Sequence, residues 1–238
     1  MRIGGLHKHS LIDYPGRISA VVFTQGCNFR CPYCHNPSLV YPEQYGALID
    51  PEEVLRFLSK RQGLIDAVVI TGGEPLLQQD LEVFLQKVRD MGFKVKLDTN
   101  GSRPDRLKSL LSAGLIDYVA MDYKAPLRAY SPVAGVDVKV EMIQESITYI
   151  ISSGVEYEIK STIYSRLGMN SIIDMISELK SLGVEVYYLQ IFKSRDNNDE
   201  FLRATDIDIQ YLQEYLLCHF WRWGIRNYGD ALSETSVV

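Results

Sequence analysis

Residues 18–37, ISAVVFTQGCNFRCPYCHNP, decide how the rest of the chain is read. The first seven, ISAVVFT (18–24), are small, β-branched or aromatic and carry no charge, which is the composition of a short buried strand. The chain then passes directly into a loop, about 26–36, that holds Cys27, Cys31 and Cys34 in a C-x3-C-x2-C spacing. Three thiols therefore gather at one strand end. The fourth cysteine, Cys218, lies far downstream. Four cysteines placed this way are not a disulfide scaffold.

Working outward, the same kind of strand recurs. Segments 67–71 (AVVIT), 94–99, 118–122, 156–163 and 185–192 read as strands. Between them lie amphipathic stretches at 51–61, 79–91, 104–113, 141–152 and 171–181, with a last one at 207–218. The helix at 51–61 is signalled most clearly, with Asp50 as N-cap, Pro51 in the first turn and Glu52 and Glu53 behind it. Six alternations of strand and helix predict parallel βαβ units. Periodicity alone does not separate a partial barrel from an open sheet. Nothing divides the chain in composition, so one domain over 1–238 is expected. Two longer connections, 126–140 and 193–206, read equally as functional loops or as solvated ones.

The 238 residues are 46% hydrophobic and 23% charged, with a formal net charge of −5, which is ordinary globular composition. A mildly acidic chain lacks the basic field of a general nucleic-acid binder. No apolar run approaches the roughly 18 residues of a membrane span. The opening MRIGGLHKHSLIDYPG has no apolar leader core, so a cytoplasmic protein with neither nucleic-acid nor membrane partners is expected.

The chemistry-bearing residues follow the strands. Thr71-Gly72-Gly73-Glu74-Pro75 ends the second, Asp98-Thr99-Asn100-Gly101 the third and Asp122-Tyr123-Lys124 the fourth. Parallel α/β folds build their sites at the carboxyl ends of strands, so these clusters and the cysteine loop converge. Three thiols on one loop hold a zinc ion only with a fourth ligand, for which His35 is the neighbour, or a cubane [4Fe–4S] cluster with one iron left open. His35 also reads as a solvated loop histidine. Asp122 and Lys124 are two apart and point to one side if the strand continues. Glu158, Lys160 and Thr162 alternate along 156–163, a polar face that fits a site lined by a barrel interior. Gln190 and Phe192 share a face and read as site or packing. Cys218 reads as a buried structural cysteine. Phe220, Trp221 and Trp223 read as packing of the last helix on the barrel.

The cysteine spacing, with the aromatic Tyr33 before the last cysteine, resembles the signature of radical S-adenosylmethionine (SAM) enzymes. The motifs at 11–37, TGGEPLLQ (71–78), DTNG (98–101) and DYK (122–124) together resemble the activating enzymes of glycyl-radical proteins, nearest to those of anaerobic ribonucleoside-triphosphate reductase. The resemblance implies a partial (β/α)6 barrel of parallel strands with outer helices. It implies one [4Fe–4S] cluster on Cys27, Cys31 and Cys34, with SAM on the open iron. Tyr33 is expected beside the adenine, Gly72 and Gly73 under the methionine moiety and Glu74 near its amine. Asp98 and Thr99 are expected to line the SAM site, in some relatives with a monovalent cation. Asp122 and Lys124 are expected at SAM's carboxylate or ribose, or at the incoming partner loop. Lys160 stands where related activases have an arginine or another polar group. No catalytic residue is expected beyond the cluster and SAM ligands, and no spare cysteines are left for a second cluster.

The implied reaction is removal of a hydrogen atom from a glycine of a partner enzyme, with flavodoxin or ferredoxin as electron donor. The alternatives are another glycyl-radical enzyme such as pyruvate formate-lyase as target, a small-molecule radical SAM enzyme, or a non-catalytic zinc or iron–sulfur interaction module.

Overall fold

The computed structural model describes residues 1–192, 207–227 and 233–236. In chain order the elements are β1 (Ile3–Ser10), β2 (Ser19–Thr24), α1 (Pro37–Val40), α2 (Pro51–Ser59), β3 (Ala67–Gly72), α3 (Leu81–Asp90), β4 (Lys94–Thr99), α4 (Pro104–Ser112), β5 (Tyr118–Asp122), α5 (Tyr130–Ala134), α6 (Val140–Ser153), β6 (Glu156–Ile163), α7 (Met169–Ser181), β7 (Val186–Ile191), α8 (Ile209–His219), β8 (Arg222–Arg226) and β9 (Ser233–Ser236). One sheet holds the described strands in sequence order. Strands β2 to β8 run parallel, and β1 and β9 pair antiparallel at its two edges. Among the described residues the edges do not meet, so the sheet is an open, partial barrel with helices outside.

The six expected strands are β2 to β7, and each expected helix is present within about two residues of its predicted ends. At the start of α2 the Asp50 side chain accepts from the Glu52 backbone N–H, as the capping pattern requires. Two described additions escaped the periodicity. Strand β1 contains Gly4 and Gly5 and an exposed His-Lys-His run, so its sequence lacks an apolar face. Strand β8 lies in the aromatic run after α8. It carries Trp223 into the interior, while Trp221 is 58% exposed. Cys218 is exposed on α8 rather than buried, because its turn of the helix faces away from Leu212 and Leu216. The connection 126–140 is not a solvated loop: it forms α5, with Tyr130 and Ala134 fully buried. The charged connection at 193–206 lies outside the described residues.

The two faces of the sheet differ in chemistry. The outer face packs Val68, Ile70, Leu97, Val119 and Ile159 against helix residues such as Leu85, Leu107, Ile147 and Ile176 in one large core. The inner face starts apolar and becomes polar toward the carboxyl ends. Its apolar part is Val21, Ala67, Val69, Tyr118 and Ala120. Tyr14, from the loop between β1 and β2, inserts among them, with its ring 5.7 Å from that of Tyr118. The loop is pinned where it enters: Ser10 Oγ donates to the Asp13 carboxylate at 2.5 Å, and Lys96 Nζ to the Asp13 carbonyl at 2.6 Å. Tyr14 thus stops the end of the barrel away from the cysteine loop. Among the described residues no helix is long and apolar enough to cross a membrane.

Removing this stopper leaves a cavity that rigid strands cannot collapse. Tyr14→Ala is expected to cost about 3–5 kcal/mol. That lowers the unfolding midpoint by roughly 10 °C, measurable by calorimetry.

Candidate active site

The site sits at the carboxyl ends of β2 to β7, where a cavity of about 200 Å³ opens. Its wall includes Cys27, Cys31 and Cys34 from the loop after β2, and Thr71, Gly72 and Gly73 from the end of β3. Asp98 and Thr99 come from β4 and Asn100 from just past it, Asp122 from β5 and Lys124 from just past it, Lys160 and Thr162 from β6, and Gln190 from β7. Of the twelve residues expected at the site, all but Glu74 line this cavity.

Backbone contacts fix the cysteine loop. Gly26 has φ +107° and donates its N–H to the Leu39 carbonyl at 2.7 Å. Arg30 N–H donates to the Ala134 carbonyl of α5 at 2.7 Å, and the Arg30 guanidinium donates to the carbonyls of Cys27 and Phe29. Gly135, just past α5, must be glycine, since a Cβ there would lie 2.4 Å from the Arg30 carbonyl oxygen. The buried 130–135 segment is therefore the buttress of the loop.

The glycine pair has a different cause from the expected one. A Cβ on Gly72 would lie 2.5 Å from the Thr24 nitrogen, and one on Gly73 only 2.1 Å from the Gly26 oxygen. Both glycines line the cavity, but the close approach that demands them is to neighbouring backbone: the end of β2 at Thr24 for Gly72, and the cysteine loop at Gly26 for Gly73. Gly73 N–H donates to Thr24 O and Glu74 N–H to Gly26 O, both at 2.8 Å.

Glu74 corrects the expectation that it faces a ligand amine. Its carboxylate is fully buried between the ends of β3 and β4. It accepts from Thr99 Oγ1 at 2.7 Å, Asn100 N–H at 2.7 Å and Leu76 N–H at 3.1 Å. Asn100 in turn donates to Asn28 Oδ1 at 3.0 Å, next to Cys27. Glu74 is thus a clamp joining β3, β4 and the cysteine loop. Burial pushes its pKa up to about 7, against three donors that favour the ionised form.

The opposite wall is ionic. Lys96 approaches Asp98 Oδ1 at 3.2 Å, and Lys160 approaches Asp98 Oδ2 at 3.6 Å and Asp122 Oδ1 at 3.8 Å. Lys124 approaches Asp122 Oδ2 at 3.1 Å, so the two residues of the DYK motif do share a side. Burial raises the carboxyls of Asp98 and Asp122, but the neighbouring ammoniums more than offset it and hold both below the usual range. Deeper, Glu158 is held by two hydrogen bonds from Arg226 on β8, at 2.7 and 3.1 Å. Lys96 and the Glu158–Arg226 pair were not singled out from sequence. Lys96 was readable, since it stands two before Asp98 and shares its face. The Arg226 partnership was not, because β8 itself was missed.

Tyr33 lines the cavity, yet its ring is buried against Tyr164 at 4.5 Å, and among the described residues its hydroxyl has no partner. His35 stacks on Phe192 at 4.9 Å.

Burial pushes the Cys27 thiol up to about 12 and raises Cys31. Among the described residues no group of three or more Cys, His, Asp or Glu side chains gathers around a single ion. A cubane cluster does not ask for that, since each thiolate binds its own iron. Three soft donors on one loop, beside an orphaned buried hydroxyl and a charged wall, fit a three-thiolate cluster with a zwitterionic ligand next to it.

Two outcomes follow from the clamp and the glycine contact. Gly73→Ala forces backbone against backbone, with an expected cost of at least about 2 kcal/mol in urea unfolding and a fall in iron and sulfide uptake on reconstitution. Between about pH 4.5 and 7 the native Glu74 holds more proton than the unfolded one, so its contribution to stability declines as pH rises through that window. Glu74→Gln lacks this decline. The midpoint of the variant relative to wild type should therefore be lower at pH 5.5 than at pH 8 in thermal unfolding.

The sequence profile of the Radical SAM superfamily matches residues 21–179, from β2 through α7. A protein of Methanocaldococcus jannaschii that carries the name of a glycyl-radical enzyme activating enzyme is 34% identical over 204 residues, spanning 83% of this chain and 82% of its own. The GTP 3',8-cyclase of Aquifex aeolicus is 28% identical over 205 residues, and the match covers 83% of this chain but 63% of the cyclase. Among solved structures, Streptococcus suis SuiB superposes with a TM-score of 0.64 at 15% identity, over 83% of this chain and 45% of SuiB, a likeness of fold. The profile begins inside the strand that delivers the cysteine loop and ends after the strand that carries Lys160, so it encloses most of the site wall. The chain belongs to the radical SAM superfamily, which implies a [4Fe–4S] cluster and SAM binding.

Proposed function

We propose that this protein is a glycyl-radical enzyme activating enzyme whose target is an anaerobic ribonucleoside-triphosphate reductase. The observation that carries the activating-enzyme reading is the likeness to the Methanocaldococcus protein over 82% of its length, against 63% for the cyclase; the reductase as target rests on the motif resemblance alone. The open sheet supports it, because a partner's glycine loop needs lateral access to the strand ends. The chain would act as one domain over 1–238, in the cytoplasm, with flavodoxin or ferredoxin as donor.

When bound, the cluster and SAM supply one-electron cleavage of the sulfonium C–S bond, giving methionine and a 5'-deoxyadenosyl radical that takes a hydrogen atom from glycine. The protein's part is to bind, orient and shield. Cys27, Cys31 and Cys34 would hold the cluster. Thr71, Gly72 and Gly73 present backbone to the cavity, and Glu74 keeps their turn in place through Thr99 and Asn100. Asp98, Asp122, Lys124 and Lys160 form the charged wall for the ammonium, carboxylate and ribose of SAM. Tyr33 stands on the adenine side.

Anaerobic protein reconstituted with iron and sulfide, reduced with dithionite and given SAM is expected to form 5'-deoxyadenosine, and Cys31→Ala to fall to background. Adding anaerobic ribonucleotide reductase should produce a glycyl radical in its electron paramagnetic resonance spectrum. A radical appearing only with pyruvate formate-lyase moves the target. Turnover of GTP without any protein partner replaces the reading with a small-molecule enzyme. A full cluster, or bound zinc, with no SAM cleavage leaves an interaction module.

A further inference from the structure

Asp98 and Asp122 lie on neighbouring strands. Asp98 pairs with Ala120, so Asp122 stands two residues further along β5 on the same inner face. Two carboxylates so placed repel one another, and one would normally take a proton unless a cation stands between them. Lys160 supplies it. It pairs directly with Asp122 in the sheet. Its Nζ lies 3.6 Å from Asp98 Oδ2 and 3.8 Å from Asp122 Oδ1, nearly equidistant. The other oxygen of each carboxylate has an ammonium of its own: Lys96 lies 3.2 Å from Asp98 Oδ1, an ion pair without a hydrogen bond, and Lys124 lies 3.1 Å from Asp122 Oδ2. Lys160 is thus the cation the two acids share.

We propose that the Lys160 ammonium is a built-in counter-ion joining Asp98 and Asp122, so that this wall takes its ligand without recruiting a monovalent ion from solution. The inference deepens, and rests on, the reading of the cavity as the SAM site. The charge balance supports it. Glu158 is neutralised by Arg226. Among the described residues three ammoniums then face two carboxylates, which leaves one positive charge on the wall, the complement of a single carboxylate such as SAM's. Among the described residues, the wall without Lys160 is neutral and no other cation bridges the two acids. Lys160 is a positioning residue in this account: it fixes the two acids that meet the ligand.

The test compares choline, sodium and potassium chloride at one ionic strength of about 0.1 M, so that screening is constant and only the size of the cation changes. Wild type, Lys160→Met and Lys160→Arg are followed in two ways, by thermal unfolding and by equilibrium dialysis of SAM against the cluster-loaded protein. Wild type and Lys160→Arg are expected to show the same midpoint in all three salts and SAM affinities within about twofold. Lys160→Met is expected to unfold several degrees lower in choline and to recover in sodium or potassium. Its SAM affinity should rise at least about tenfold with either small ion. A purely structural loss would lower the midpoint equally in every salt.

Two results overturn the proposal: wild type responding to sodium or potassium as strongly as Lys160→Met, or Lys160→Met staying flat in all three. If Lys160→Met does not fold, the wild-type and Lys160→Arg salt series still decide, since a small-ion requirement in either sinks the idea. Protein that binds no SAM in any salt overturns the assignment of the cavity, while the unfolding arm, which contains no SAM, separately decides the role of Lys160.

Discussion

A methyl group on Gly73 would lie 2.1 Å from the Gly26 carbonyl oxygen, and the arrangement of the site depends on that closeness. The turn that ends β3 rests directly on the loop that follows β2. Two backbone hydrogen bonds, Gly73 to Thr24 and Glu74 to Gly26, tie them together. The Glu74 carboxylate then carries the connection on to β4 through Thr99 and Asn100, and Asn100 returns it to Asn28 beside Cys27. The thiols are therefore held against the sheet by main chain and one buried acid, with α5 closing behind Arg30. A soft loop would let three cysteines drift; this one has several independent anchors.

The second constraint is electrostatic. The inner face of β4, β5 and β6 buries acids and lysines that would be costly alone. They are tolerated because each carboxylate meets two ammoniums at the strand ends, and Glu158 meets Arg226 deeper in. Lys96 reaches both ways, to Asp98 toward the cavity and to the Asp13 carbonyl toward the Tyr14 stopper. Apolar stopper, ionic middle and thiol rim thus form one continuous column inside the partial barrel.

The radical SAM superfamily holds relatives of different chemistries. The relatives bear the names of an activating enzyme and of a nucleotide cyclase, and both align over most of this chain. A shared fold does not dictate the substrate.

The sequence by itself determined the six βα repeats, the capped start of α2, the cysteine loop and the gathering of polar residues at strand ends. These are local signals: apolar runs of strand length, a 3.6-residue period, and residue types that only a site requires. It also placed Asp122 with Lys124 and set Glu158, Lys160 and Thr162 on one inner face, because a strand's period of two is written in the chain. Only the tertiary structure decided that Glu74 turns inward, that Gly72 and Gly73 yield to the backbone of β2 and of the loop after it, that Cys218 faces outward and that Lys160 stands between two acids from other strands. Those facts depend on how far apart separate elements come to rest. Register and burial across strands are fixed by packing, and no window along one chain contains them.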